Sequence, residues 1–199
     1  MFQILKNIPA PPQHLIDQID RSMTPVKSEL GYHTERFLNN WYGRNFKAGV
    51  NARLPSPEFE TWVKKNITEH ILDAGVNYVT HTEEAGLPIS TGAHTDGTRE
   101  FVMLWNVEHG GADAELTFWR EENKPLYRAP KTRGTDFSKL KFVTKTRLPE
   151  DKWLLLDARV LHSVENLTST RISLQISFLN KLALETIKGI DDLSKIFST

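Results

Sequence analysis

The chain reads as a mainly β fold with flanking helices, a sandwich or a barrel. Between Val76 and Leu179, β-branched and aromatic residues fall in short runs broken by Gly, Pro, Asn or charged positions, the pattern of strands joined by turns. No helical stretch separates these runs, which argues against the strand-helix alternation of a parallel α/β sheet. Helical spacing of apolar residues is confined to the segments on either side. A length of 199 residues with 39% hydrophobic and 10% aromatic content suits one domain with a sizeable core, and excludes disordered or fibrous chains.

Taken in order, Pro11-Pro12 leads into HLIDQIDRSM, where Leu15, Ile16, Ile19 and Met23 share a face at helical spacing. Residues 29–55 mix Gly31, Gly43, Gly49 and Pro55 with Tyr32, Phe37, Trp41, Tyr42 and Phe46, which predicts irregular structure anchored by aromatics. Ser56-Pro57-Glu58 combines an N-cap, a first-turn proline and an acidic first turn. It opens a predicted helix to about Leu72 with Phe59, Trp62, Val63, Ile67 and Ile71 inward. The predicted strands are 76–82, 87–95, 99–108, 114–121, 140–148, 152–159 and 171–179. Leu184, Ile187, Ile190, Leu193, Ile196 and Phe197 then predict a closing amphipathic helix, with Gly189 costing about 1 kcal/mol relative to Ala. The expected layout is one domain over 1–199: helical and irregular support over 1–75, a β core over 76–180, and a C-terminal helix over 181–199.

Composition narrows the chemistry. Lys and Arg balance Asp and Glu at 25 each, so nothing in the global charge calls for a nucleic acid or a membrane surface. Zero cysteines exclude disulfide frameworks, thiolate zinc sites, iron–sulfur clusters and thiol nucleophiles, leaving His, Asp and Glu for any metal. No stretch approaches the roughly 20 apolar residues of a membrane span, and the first residues lack a leader pattern; the expected location is cytoplasmic. Residues 120–152 carry ten basic side chains against five acidic ones. They read first as a solvated strand edge whose lysines discourage edge pairing, and second as a rim attracting an anionic substrate.

The chain contains three His-x-acid pairs, His33/Glu35, His81/Glu83 and His94/Asp96, and context must separate them. On a strand, residues i and i+2 point to the same face, so His94 and Asp96 at a strand end can offer an imidazole nitrogen and a carboxylate oxygen to one cation. His162, following the apolar run WLLLDARVL, is the best third ligand. Two histidines and one carboxylate leave coordination positions open and suit non-haem Fe(II). Nine residues further, Arg171 and Ser173 share a face of a predicted strand; a guanidinium fork with a neighbouring hydroxyl matches a carboxylate. His81/Glu83 is the rival metal pair.

The series H94-T-D96-G, the run FVMLWNVE, Gly110-Gly111 followed by ELTF, then WLLLDARVLHSVEN and R171-I-S173 resembles, in order and spacing over residues 76–180, the Fe(II)/2-oxoglutarate-dependent dioxygenases. That resemblance implies a double-stranded β-helix, the jelly-roll or cupin-like fold. It makes His94, Asp96 and His162 the iron ligands and Arg171 with Ser173 the binders of the distal carboxylate of the co-substrate 2-oxoglutarate. It further implies use of O2, release of succinate and CO2, and hydroxylation of an unactivated C–H bond. Asp96 stands where related halogenases carry a small residue, which favours hydroxylation or another oxidation over halogenation. Prolyl-4-hydroxylase-like members usually have Lys where Arg171 stands, and the nucleic-acid demethylase branch has a second Arg soon after, absent from ISLQISFLN.

Tyr78 is the expected third co-substrate contact, with an ordinary buried strand aromatic as its other reading. Arg99 and Trp105 are candidate substrate contacts, Trp105 otherwise belonging to the core. Gly97 and Gly110-Gly111 are expected to permit turns with positive φ. The expected prime substrate is a small molecule or an amino-acid-like or peptide side chain. The alternatives are a non-catalytic jelly-roll binding module and a cupin-like metalloenzyme that does not use 2-oxoglutarate.

Overall fold

The computed structural model describes residues 1–22, 26–28, 31–33, 43–46, 49–81, 88–129, 133–135, 137–190, 193 and 196. Chain order is β1 (Phe2–Leu5), α1 (Gln13–Asp17), β2 (Val26–Ser28), β3 (Gly31–His33), β4 (Gly43–Phe46), β5 (Gly49–Pro55), α2 (Pro57–Asn66), β6 (Asp73–His81), β7 (Ala93–Thr95), β8 (Phe101–His109) and β9 (Glu115–Glu121). There follow β10 (Arg133–Thr135), a 3-10 turn (Phe137–Lys139), β11 (Leu140–Thr146), β12 (Trp153–Asp157), β13 (His162–Glu165), β14 (Arg171–Phe178) and α3 (Lys181–Glu185).

A seven-stranded sheet has the order β1-β12-β8-β14-β6-β5-β4, a five-stranded sheet the order β10-β7-β13-β9-β11, and β2 pairs with β3. Every ladder is antiparallel. From β6 to β14 the chain crosses repeatedly between the two larger sheets, so that β12-β8-β14-β6 faces β7-β13-β9-β11. That interleaving is a double-stranded β-helix, or jelly roll.

The β12-β8-β14-β6 part of the larger sheet packs on both faces. On its outer face Tyr78, Phe101, Met103, Trp105, Trp153, Leu155, Ile172, Leu174, Ile176 and Phe178 pack with Phe59, Val63 and Ile67 of the α2 region and with Leu184 and Ile187. Its inner face meets the smaller sheet through Val79, Val102, Leu104, Leu154 and Leu156 against Leu116, Phe118 and Val164. β14 shows the consequence most clearly: all eight residues are buried, yet only Ile172, Leu174, Ile176 and Phe178 belong to the outer apolar cluster. By the two-residue period of a strand, Arg171, Ser173, Gln175 and Ser177 face the space between the sheets. A polar row thus runs through the interior.

The helices are shorter than their periodicity predicts. α1 stops at Asp17, because Asp20 turns back to accept from the Ser22 amide at 3.0 Å and its hydroxyl at 2.7 Å, a local competitor of the helix; Ile19 is still buried. α2 starts at Pro57 as expected but ends at Asn66, and the chain re-enters the sheet at Asp73. After α3, Gly189 takes φ +83° against the Asn7 carbonyl, which breaks the expected C-terminal helix; Phe197 lies outside the described residues. Residues 29–55, expected to be irregular, contain β3, β4 and β5 in their described part. These strands are polar and glycine-containing, and long-range pairing with β6 overrides their weak local propensity. No described helix is long and apolar enough to cross a membrane.

Candidate metal centre

β7 is three residues long, and Asp96 follows it directly, its amide anchored to the Ala158 carbonyl at 2.8 Å. β13 brings His162 opposite His94 in the ladder register. The ring centroids are 4.7 Å apart, and His94 Nε2 lies 4.0 Å from Asp96 Oδ1. One ligand atom from each of His94, Asp96 and His162 falls within 4.8 Å of the others, a separation one cation can bridge.

Each ligand is oriented from behind. His94 Nδ1 lies 2.9 Å from the Gly92 carbonyl and His162 Nδ1 2.8 Å from the Val160 carbonyl. Each carbonyl accepts a hydrogen bond from Nδ1–H, which leaves Nε2 as the lone-pair donor. Arg99 Nε donates to Asp96 Oδ2 at 2.7 Å, leaving Oδ1 toward the histidines. Burial alone would raise the Asp96 pKa, but the Arg99 guanidinium and the two imidazoles outweigh it and hold the carboxyl well below the usual range. The carboxyl is therefore ionised, the donor set is nitrogen and oxygen only, and it fits Fe(II) with positions to spare.

These three residues line one cavity together with Asn77, Arg99, Arg171, Ser173 and Gln175, closed on its apolar side by Val79, Val102, Leu104, Leu116, Leu156 and Val164. Arg171 is 4% exposed, and among the described residues none forms a hydrogen bond or ion pair with its guanidinium. Burial pushes its pKa down to about 10, with no carboxylate among the described residues to oppose the effect; it still carries its charge at neutral pH. Gly110, with φ +84°, lies where a Cβ would come within 2.8 Å of the Arg171 Cβ, so the glycine turn packs directly on the base of that side chain. Gly111 also has positive φ, whereas Gly97 does not.

Two expected contacts need correction. Tyr78 lies on the outer face, in the cluster with the helices, and its hydroxyl donates to the Asp20 carbonyl at 3.0 Å. Its neighbour Asn77 takes the cavity position, opposite Ser173 in the register. Trp105 is also on the outer face, packed edge-on against Trp153 at 5.3 Å. Arg99, the other candidate substrate contact, does line the cavity, with its Nε on Asp96 and its Nη1 on Ser177 Oγ at 3.1 Å.

Asn77 and Gln175 were missed because their face depends on the phase of each strand, and large aromatic residues drew attention to the opposite phase. Counting in twos back from Ser177 to Arg171 would have found Gln175. The rival pair His81/Glu83 and the pair His33/Glu35 lie outside the described side chains. In the basic segment, Lys124, Lys141 and Lys145 pair with Glu121, Glu122 and Glu115 at 2.7, 3.2 and 3.0 Å. β11 is an edge strand, consistent with lysines guarding a sheet edge.

No family model matches the chain, and no curated protein matches it. Among solved structures it is similar to an oxidoreductase of the 2OG-Fe(II) oxygenase family from Burkholderia pseudomallei, with 10% identity, 83% of this chain and 75% of that chain covered, and a TM-score of 0.43. It is similar to the epimerase SnoN in complex with Fe3+, alpha ketoglutarate and nogalamycin RO, with 12% identity, 73% and 70% coverage, and a TM-score of 0.41. It is also similar to the 7S globulin of Momordica charantia, with 11% identity, 72% and 34% coverage, and a TM-score of 0.37.

Proposed function

We propose that this chain is an Fe(II)- and 2-oxoglutarate-dependent oxygenase that hydroxylates a C–H bond of a small molecule or an amino-acid-like side chain. The observation that carries the reading is the pairing, in one cavity, of the His94/Asp96/His162 group with a buried Arg171 that has no protein counter-charge among the described residues. A metal centre alone would suit many cupin-like proteins. A buried cation without a partner is costly, and an anion bound beside it removes the cost.

In this reading His94 and His162 hold the metal through Nε2 and Asp96 through Oδ1. Arg171 holds the distal carboxylate of the 2-oxo acid, with Ser173 adding a hydroxyl donor and Asn77 an amide. Fe(II) bound there supplies the redox chemistry that couples O2 to oxidative decarboxylation of the co-substrate, releasing succinate and CO2. The protein's part is positional. Arg99 keeps Asp96 ionised and aimed, while the leucine and valine wall excludes water from the reacting face. A cytoplasmic location belongs to the same proposal.

The test is an anaerobic titration of purified apo-protein with Fe(II) and then 2-oxoglutarate, followed by the visible metal-to-ligand charge-transfer absorption of a 2-oxo acid chelate. The band is expected in the wild type and absent from His162→Ala. Metal binding without the band would shift the assignment to a cupin-like metalloenzyme, and absence of metal binding to a jelly-roll binding module.

A further inference from the structure

The polar row of β14 continues past the metal centre to a second buried arginine. Arg53, on β5, is 4% exposed although two strands, β6 and β14, separate its strand from β8. Its Nη1 donates to Ser177 Oγ at 2.6 Å and its Nη2 to the Gln175 carbonyl at 2.8 Å. The same Nη2 pairs with the Asp73 carboxylate. Ser177 Oγ also accepts from Arg99 Nη1 at 3.1 Å, and Arg99 Nε is the donor to Asp96. The Gln175 side chain faces both guanidinium groups, which only donate, so its amide oxygen turns toward them and accepts from each. Gly75, opposite Gln175 in the ladder, has no side chain to block the path between β5 and β14.

Two guanidinium groups sharing acceptors in a water-poor interior repel each other. What holds them there is a carboxylate at each end: Asp73 on Arg53 and Asp96 on Arg99. Packing alone would not call for this arrangement, since an aliphatic side chain fills such space at lower cost. We infer that Arg53 is a positioning residue for the metal centre: through Ser177 and Gln175 it locks the Arg99 fork, which turns Asp96 so that only Oδ1 is offered to the metal. The inference rests on the metal-centre reading above and extends it across the sheet to β5. Without Arg53, Ser177 would lose one of two donors and the Gln175 amide oxygen one of three, and Arg99 could swing off Asp96. Outer partners of this kind commonly alter metal affinity by about 10–100-fold.

The experiment compares wild type with Arg53→Met, Arg53→Lys and Ser177→Ala. Fe(II) affinity is measured anaerobically by competition with a chromogenic chelator, the absorption of the Co(II) derivative is recorded, and the urea midpoint is measured in parallel. Arg53→Met and Ser177→Ala are expected to weaken Fe(II) roughly tenfold or more and to alter the Co(II) spectrum. Arg53→Lys retains a cation for Asp73 but lacks the planar fork that reaches Ser177 and Gln175 from two separate nitrogens, so it should recover urea resistance without recovering metal affinity. Ser177→Ala, which removes one hydroxyl, carries the test if Arg53→Met fails to fold. Variants that bind Fe(II) with wild-type affinity and give the wild-type Co(II) spectrum overturn the positioning role while leaving the metal centre intact. A wild-type chain that takes up neither metal overturns both.

Discussion

His94 and His162 stand opposite each other across the β7–β13 ladder, with ring centroids 4.7 Å apart and each Nδ1 on a backbone carbonyl two residues earlier. Strand pairing thus sets their separation, and the local chain sets their tautomer. Replacing either by Ala should abolish tight Fe(II) binding. The fold should survive, because the side chains lie at a cavity rather than in a packed apolar cluster. Equilibrium dialysis with circular dichroism checks both halves, and a His94→Ala protein that still binds Fe(II) would move the centre elsewhere.

Arg171 sets function against stability. Arg171→Met should weaken 2-oxoglutarate by at least about tenfold, through loss of a charge-assisted hydrogen-bonding fork. It should also stabilise the ligand-free protein by about 1–3 kcal/mol, because a buried uncompensated cation gives way to an apolar chain. Urea unfolding with and without the 2-oxo acid reads both effects; a less stable ligand-free variant would show that the guanidinium is compensated within the protein.

Asn77 and Tyr78 point to opposite faces of β6. Asn77→Ala should therefore weaken 2-oxoglutarate severalfold with little change in stability. Tyr78→Phe should leave co-substrate affinity alone and cost about 1 kcal/mol, the net value of its hydrogen bond to Asp20. The reverse pattern in a binding assay would mean the register places the wrong residue in the cavity.

Glu165 faces Glu115 in the β13–β9 register. Burial raises its pKa, the Ser163 and Ser90 hydroxyls oppose the rise, and Glu115 adds to it. A carboxyl whose folded-state value is raised holds more protons in the fold, so this group makes stability increase as pH falls from neutrality toward its unfolded value near 4.5. The contribution should be below about 1 kcal/mol for a partly solvated group. Glu165→Gln should remove it, leaving a flatter profile between pH 7 and 5 in urea melts; an unchanged slope would assign the effect to other groups.

Gly110 combines a left-handed backbone with close approach to Leu167 and Arg171. Gly110→Ala should destabilise by more than about 1 kcal/mol, from strain and overpacking together, and should weaken 2-oxoglutarate by displacing the base of Arg171. Thermal melts and a binding titration would separate the two losses.

The His94/Asp96/His162 group was legible in the chain because it depends on local facts. His94 and Asp96 are two apart at a strand end, and His162 closes an apolar run. The β class was legible for the same reason, in the two-residue alternation and the turn residues between runs. Helix starts such as Ser56-Pro57 were visible too, whereas helix ends were not. Asp20 and Gly189 stop α1 and the C-terminal segment through contacts that apolar periodicity does not encode.

What the sequence determined by itself was therefore the β-rich class, the His94/Asp96/His162 group and the Arg171/Ser173 pair. Tertiary structure alone decided which face of each strand looks inward. Helices cover the outer face of the larger sheet, so both phases of β6, β8 and β14 are buried, and burial no longer distinguishes core from cavity. The apolar phase, with Tyr78 and Trp105, went to the helices; the polar phase, with Asn77, Gln175 and Ser177, went to the cavity. Only the pairing of β5 with β6 could bring Arg53 into the same network as Asp96, because a contact between residues 53 and 177 is set by ladder register, which leaves no trace in local spacing.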